Sequence, residues 1–231
     1  MTRAHGRYFD VLFVMACLVA LVSWLAMSAG QTFMIDEWEF VMNAHDWSFD
    51  RLNEPLNGHW SLGLALMWNT LMATVGLSSY MPYLLVANLL HIAVAAGIYV
   101  YARRQTLPVV ALGAAVIYLF LGSGVVNMLH GFQMNFNLAA AAGVWALVIL
   151  LREPRPRHGW LAALLLVVAV ATNGVGLAFP AAALAIVVLS RRHWRWFWVP
   201  LPAIVAFGTW YLVYGRDDPQ TLPSAMRLVQ Y

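Results

Sequence analysis

Apolar residues form long runs in this chain, and polar residues collect between them. The first run covers residues 8–29, and a second run of similar length covers 81–102. Shorter runs follow at 108–122 and 136–151. A run of about 20 apolar residues can cross the hydrocarbon core of a bilayer as a helix. The pattern therefore predicts membrane-spanning helices rather than the amphipathic helices of a soluble protein.

The last third of the chain holds an apolar stretch that is too long for one ordinary span. Residues 160–190 are interrupted by the sequence TNGVG at 172–176, which predicts a turn between two short helices. A final span is predicted at 196–214, followed by a polar tail at 215–231. We therefore expect an all-α polytopic membrane protein in which residues 1–231 form a single transmembrane domain of about seven helices, some of them short or broken.

The longest polar segment follows the first span. We predict that residues 31–80 form an extracytoplasmic loop that contains interfacial helices. Residues 60–77 are apolar enough to suggest another span, but a full crossing there would place Arg103 and Arg104 outside. We therefore expect 60–77 to lie at the membrane surface or to re-enter from it.

Charge sets the predicted orientation. All thirteen basic residues are arginines, and this threading places ten of them on the side where the chain begins. Basic residues favour the cytoplasmic side of a membrane. The N-terminus is therefore predicted to be cytoplasmic, and the first loop to be extracytoplasmic. The ten are Arg3, Arg7, Arg103, Arg104, Arg152, Arg155, Arg157, Arg191, Arg192 and Arg195.

Composition agrees with a membrane protein. The chain is 62% hydrophobic and 10% charged, with a mean hydropathy of +0.72. Soluble domains are about 25% charged. The arginines lie in short clusters at span ends, which does not predict nucleic-acid binding. The single Cys17 excludes an intramolecular disulfide within the chain.

Candidate chemistry lies in the first loop, QTFMIDEWEFVMNAHDWSFDRLNEPLNGH. This stretch, 31–59, holds six of the ten acidic residues. Asp36 and Glu37 follow the first span most closely, and a carboxylate at the mouth of an apolar bundle is costly enough to suggest a function. Two other interpretations stay open: the loop carboxylates are simply solvated, or Asp36 is the N-cap of a helix over 37–45.

The order of these parts resembles the membrane core of GT-C glycosyltransferases, which use sugars linked to polyprenyl phosphates. The features that carry the resemblance are Asp36-Glu37 in the first loop, the sequence NEPLNGHW before a surface helix, Ala102-Arg103-Arg104 at the end of the next span, and TNG at 172–174. Protein O-mannosyltransferases and aminoarabinose transferases are members of that group. The resemblance implies that the chain transfers a sugar from a polyprenyl-phosphate donor to a glycan, lipid or protein acceptor.

The resemblance also implies a set of site residues. Asp36 is expected to act as the catalytic base, with Glu37 as the second catalytic candidate. Five further residues are expected to bind substrate: Arg51, His59, His130, Gln133 and Asn173. Each has a plainer alternative, namely an ion pair of Arg51 with Asp50 or Glu54, interfacial anchoring of His59, inter-helix hydrogen bonds of His130 and Gln133, and capping of a broken helix by Asn173.

Two departures from the family pattern affect the cofactor and the phosphate site. The segment before the fourth span has His130, Gln133 and Asn135 where many members have a second acidic residue. We therefore predict no cofactor and no metal site, with Mg²⁺ or Mn²⁺ held by Asp36 or Glu37 as the open alternative. Family members often carry Thr-Lys-Gly at the break between the two short helices. Here Asn173 stands in place of that lysine, which removes one expected phosphate contact.

Two other functions compete with sugar transfer. The chain could be a non-catalytic relative, a lipid-binding or flippase-like partner of a larger transferase, or it could be a secondary transporter with its site at the break in 160–190. The lack of an inverted repeat argues against the transporter. In each case we expect a multi-pass protein of the bacterial cytoplasmic membrane, in contact with membrane lipids.

Overall fold

The computed structural model describes residues 3–121, 124–152 and 156–216 and is almost entirely helical. The helices are α1 (Arg3–Met27), α2 (Ile35–Asn43), α3 (Phe49–Asn53), α4 (Leu62–Thr74), α5 (Met81–Gln105), α6 (Pro108–Leu119), α7 (Val126–Leu129), α8 (Met134–Leu150), α9 (Pro156–Val170), α10 (Ala178–Leu189) and α11 (Leu201–Trp210). Strands β1 (Pro55–Leu56) and β2 (His59–Trp60) pair antiparallel in a small hairpin between α3 and α4. The predicted polar tail lies outside the described residues except for Gly215 and Arg216.

Four helical segments of the described chain are long and apolar enough to cross a membrane. They are Arg7–Met27, Met81–Gln105, Gly131–Leu150 and Trp194–Gly215. The predicted count of seven spans is therefore not supported. The other three predicted spans, 108–122 and the two halves of 160–190, form helices of at most 17 residues. A 12-residue helix such as α6 is only about 18 Å long, well short of a hydrocarbon core of about 30 Å.

The break in 160–190 forms as predicted, which explains why neither half is long. α9 ends at Val170, and a 3₁₀ turn over Gly174–Leu177 leads into α10. The Asn173 side chain accepts a hydrogen bond from the Val175 amide at 3.0 Å and so caps the turn. The amide of Gly63 in α4 donates to the carbonyl of Ala171 at 2.9 Å, which ties α4 to the break.

α5 and α8 form the centre of the bundle and run in the same direction. The Asn137 amide nitrogen donates to the Ala87 carbonyl at 3.1 Å, and the Trp145 indole donates to the Ala93 carbonyl at 2.9 Å. Small residues along α8 allow this close packing. α1 lies at the edge, in contact with α5 and α6, and it exposes large apolar side chains such as Val22 to the surroundings. Such a face is suited to lipid.

Polar side chains inside the bundle hold the connection between α6 and α8. The Asn88 amide donates to the Met128 carbonyl at 2.9 Å, and the Asn137 amide donates to the Asn127 carbonyl at 2.9 Å. On the other side, the Trp24 indole donates to the Leu119 carbonyl at 3.2 Å. Buried carbonyl groups in an irregular segment need such partners. These bonds fix the backbone just before His130.

The acidic loop forms a cap over one end of the bundle. α4 has 13 residues, fewer than a membrane span needs, and it buries Trp68 and Asn69 against the rest of the loop. The Trp60 indole donates to the Asn53 side chain at 2.9 Å, and the Trp210 indole donates to the Asn53 carbonyl at 2.7 Å. The cap is therefore anchored to α11 as well as to the centre of the bundle.

Replacing Gly176 by alanine should strongly destabilise the fold. A Cβ at this position would overlap the carbonyl group of Ala169, which is backbone and cannot move aside. We expect a loss of about 3 kcal/mol or more in the free energy of unfolding. The measurement is the thermal midpoint of the detergent-solubilised protein. Gly113→Ala is the matched control, because a Cβ there meets nothing within 4 Å, and equal midpoints for the two variants would contradict the prediction.

Candidate functional site

The two candidate catalytic carboxylates lie in the first turn of α2. The helix begins at Ile35, preceded by Met34 in an extended conformation, and the Glu37 carboxylate accepts a hydrogen bond from the Met34 amide at 2.9 Å. This contact satisfies one amide that the helix itself leaves unpaired. The alternative that Asp36 is an N-cap is wrong, because Asp36 lies inside the helix.

Glu37 is fully buried, with 0% of its surface exposed. One carboxylate oxygen accepts from the Tyr80 hydroxyl at 2.6 Å and from the Phe132 amide at 2.8 Å, while the other accepts from Met34. All three partners are donors, as a carboxylate requires. Glu37 therefore joins α2, the start of α5 and the turn before α8.

Tyr80 completes this connection. Its hydroxyl oxygen accepts a hydrogen bond from the Gly131 amide at 2.8 Å while its proton is directed at Glu37. Burial, and after it the hydrogen bond to Glu37, raise the pKa of the Tyr80 phenol above its ordinary value. The phenol therefore stays protonated and donates. We refer to Glu37, Tyr80 and the amides of Gly131 and Phe132 as the clamp.

Asp36 has a different environment. Its side chain is exposed and faces a hollow of about 340 Å³ between α2 and the turn before α8. The hollow is lined by Met34, Asp36, Glu37, Val126, His130, Phe132 and Gln133. The sequence thus predicted four of these residues, and the structure brings Asp36, Glu37, His130 and Gln133 together. A volume of this size can hold a small ligand.

His130 lies where this hollow meets a second one of about 360 Å³. The second hollow is lined by Gly30, Gln31, Thr32, Phe33, Met34, Trp38 and His130. The His130 Nδ1 atom lies 3.3 Å from the Val126 carbonyl oxygen. A proton on Nδ1 completes that hydrogen bond and leaves Nε2 for a ligand. His130 can therefore contact ligands in either hollow.

Arg51 does not line either hollow. Its guanidinium pairs with Glu54 and lies 3.6 Å from Glu39, at a crevice with room for little more than one water molecule. The predicted alternative, an ion pair with Glu54, is confirmed. Asp50 accepts a hydrogen bond from the Tyr214 hydroxyl at 2.7 Å instead. Arg51 is thus placed to stabilise the cap.

His59 and Asn173 form a separate group. His59 is exposed at the hairpin, and its ring lies beside Gly174, at the break between α9 and α10. Asn173 is buried and serves as the cap of the 3₁₀ turn, which is the plainer of its two predicted roles. The side chains of these two residues do not line the hollow that contains Asp36.

No cluster of three or more His, Cys, Asp or Glu side chains that could hold a metal ion is found in the described parts of the chain. Asp36 is exposed at the hollow, whereas Glu37 is fully buried and its carboxylate oxygens already accept three hydrogen bonds in the clamp.

Sequence reasoning missed two parts of the site. Tyr80 was not singled out, although among the described residues it is the one side chain that donates to Glu37. Phe33, which lines the second hollow beside Trp38, was not singled out either. A possible signal for the turn was Gly131, where a Cβ would come within 3.3 Å of the Glu37 carboxylate.

Comparison of the chain with models of known protein families, with curated proteins and with solved structures finds no match.

Proposed function

We propose that the chain is a membrane glycosyltransferase of the GT-C type, which moves a sugar from a polyprenyl-phosphate donor to an acceptor on the extracytoplasmic face. The observation that carries the proposal is the hollow in which Asp36 is exposed opposite His130 and Gln133. Its polar groups come from two loops at the same end of the bundle, as a site for a lipid-linked substrate at the membrane surface requires.

The proposed reaction is a single displacement at the anomeric carbon of the sugar. An acceptor hydroxyl attacks that carbon, and Asp36 takes the hydroxyl proton as general base. The bond between the anomeric carbon and the phosphate oxygen breaks, and its electrons leave with the polyprenyl phosphate. The configuration of the sugar is inverted. No oxidant, reductant or metal is needed to balance this step.

The leaving phosphate needs donors. In the hollow, the Gln133 amide nitrogen can supply one. His130 can supply another from Nε2 when its imidazole is doubly protonated, since Nδ1 already donates to the Val126 carbonyl. Val126 and Phe132 provide an apolar wall for the first prenyl units. Trp38, in the second hollow, offers an aromatic face on which a sugar ring can stack. Because Glu37 is buried in the clamp, we assign it to positioning Asp36 rather than to proton transfer.

The proposed orientation follows from charge. The basic helix ends lie at the end of the bundle opposite the acidic cap, so the positive-inside rule favours a cytoplasmic N-terminus and an outer site. We place the protein in a bacterial cytoplasmic membrane, with membrane lipids around α1. Mg²⁺ or Mn²⁺, if used, would enter with the substrate phosphate at Asp36 alone.

One observation favours a second function, a non-catalytic lipid-binding or flippase-like accessory protein. No lysine or arginine is among the described residues that line the two hollows, and a leaving phosphate is usually met by such a cation. An accessory protein would bind the prenyl phosphate without needing to stabilise the charge that develops during transfer.

Replacing His130 by alanine tests the proposal. The full chain in lipid nanodiscs is supplied with a panel of prenyl-phosphate sugars and short acceptors, and release of free prenyl phosphate is measured. We expect transfer to fall about tenfold or more, because the loss of one donor to a developing anion costs about that much or more. His45→Ala is the control, since His45 is exposed on the cap and lines neither hollow. Binding of prenyl phosphate without any release by the unaltered protein would favour the accessory function.

A further inference from the structure

Two helices end side by side at the basic end of the bundle. Gly97 of α5 lies against Val144 of α8, since a Cβ on that glycine would approach the valine side chain to 2.5 Å. Both helices run in the same direction. About two turns beyond Gly97, α5 reaches Arg104, and about two turns beyond Val144, α8 has ended and is followed by Arg152. The register of the two helices therefore brings Arg104 and Arg152 to the same level.

These two arginines act on each other as like charges. Among the described residues, Arg152 is the one charged group that interacts electrostatically with Arg104. Two guanidinium groups at close range repel, so the arrangement is unfavourable unless a negative charge lies between or beside them. The carbonyl ends of α5 and α8 supply part of that negative charge.

Arg103, the neighbour of Arg104, is used differently. Its guanidinium lies 3.4 Å from the Asp10 carboxylate and 3.1 Å from the Tyr99 hydroxyl, which joins α5 to α1. No described carboxylate pairs with Arg104 or Arg152. The Arg152 Nε atom is also buried and has no hydrogen-bond partner in the described structure. A buried donor of this kind indicates a missing acceptor.

Aromatic side chains place the same end of the bundle at the level of lipid headgroups. Trp160, Trp194 and Phe197 are each more than 60% exposed. They are near the start of α9 and the turn after α10, and Gly159 packs against Trp196, which shows that these segments are adjacent. Exposed tryptophans are typical of the interface between hydrocarbon and water. A phosphate group of a lipid would lie at this depth.

We propose that Arg104 and Arg152 form a binding site for the phosphate headgroup of an anionic membrane lipid, at the end of the bundle opposite the acidic cap. Guanidinium groups hold phosphate oxygens through paired hydrogen bonds. The lipid phosphate would supply an acceptor for Arg152 Nε and separate the two like charges. Basic pockets between helix ends are known to take such headgroups. This site is independent of the proposed sugar transfer.

The test compares lipid binding by two variants that lose the same charge. The full chain in a neutral detergent is titrated with phosphatidylglycerol, phosphatidylcholine or inorganic phosphate, and bound lipid is counted by native mass spectrometry. In the double variant that carries both Arg104→Gln and Arg152→Gln, we expect the affinity for phosphatidylglycerol to fall about fivefold for each arginine removed. The control, Arg157→Gln with Arg195→Gln, removes two exposed arginines at the same end of the bundle and should retain most of the affinity.

Three results would overturn the site. One is an equal loss in both double variants, which would indicate only a general attraction to the basic surface. Another is equal binding of phosphatidylcholine. The third is saturation of the site by inorganic phosphate at the same concentration as the lipid. If the double variant does not fold, Arg104→Gln alone decides the matter, since Arg104 is exposed: unchanged lipid affinity in that variant rejects the proposal.

Discussion

Replacing Asp36 by asparagine is expected to abolish sugar transfer while leaving the fold intact. An asparagine amide has nearly the same shape but cannot take a proton from an acceptor hydroxyl. Loss of a general base typically slows a reaction by about 10²–10⁴-fold. Asp36 is exposed and lines the hollow rather than packing in the core. The thermal midpoint should therefore change little, and release of prenyl phosphate is the measurement.

Glu39→Gln is the matched control for this prediction. Glu39 lies one helical turn from Asp36 on α2, is exposed, and lines the small crevice at Arg51 rather than the hollow. Its replacement removes the same charge from the same helix and breaks only a surface ion pair, which is worth about 1 kcal/mol or less. Transfer that survives in Asp36→Asn at the level of Glu39→Gln would reject Asp36 as the base and favour the accessory function.

The helical architecture was largely predictable from the sequence because lipid imposes a simple rule on composition. Runs of apolar residues located the four long helices to within a few residues at most ends. The polar group at Thr172-Asn173-Gly174 located the break between α9 and α10, since Asn173 prefers to cap a turn. The count of seven spans is not supported, because hydropathy records that a helix is apolar and not that it is long enough to cross.

The arrangement of the site was predictable only in part. The sequence placed Asp36 and His130 in two loops at one end of the bundle, and the hollow brings them together. It chose Asp36 as the base and Glu37 as the second candidate, but it could not show which of the two side chains is buried. Consecutive residues on a helix point about 100° apart, so burial of one exposes the other, but which one is buried depends on Tyr80. That residue lies 43 positions away in the chain, and no local pattern identifies it.

Arg51 and His59 lie outside the two hollows, which the sequence did not predict, for a related reason. Both lie in the acidic loop, and closeness in sequence suggested closeness in space. The hairpin formed by β1 and β2 turns the chain toward α9 and α10 and carries His59 to Gly174. Arg51 pairs with Glu39 and Glu54, the nearest carboxylates. Any phosphate contact by these two residues would need a larger ligand than either hollow holds.

Replacing Glu37 by alanine should have the largest effect on stability of any change in the cap. The change leaves the Tyr80 hydroxyl and the amides of Met34 and Phe132 without the fully buried carboxylate that accepts their hydrogen bonds. Removing one partner of a buried charged network costs about 3–5 kcal/mol. A chain of this size loses roughly 2–4 °C in thermal midpoint for each kcal/mol, so the drop should be easy to measure.

Tyr80→Phe separates the clamp from a simple loss of packing around Glu37. This change keeps the ring and removes only the hydroxyl. Glu37 then loses the hydrogen bond from Tyr80, and the Gly131 amide loses its acceptor. If the clamp acts as one unit, Tyr80→Phe costs less in the Glu37→Ala background than alone, because the Tyr80–Glu37 bond is already lost there and only the Gly131 bond remains to be lost. The positions of Asp36 and His130 can be followed by disulfide cross-linking of cysteines placed at 34 and 130, two residues that line both hollows. Full additivity of the two midpoint changes, with unaltered cross-linking, would mean that Glu37 does not hold α2 against the turn before α8.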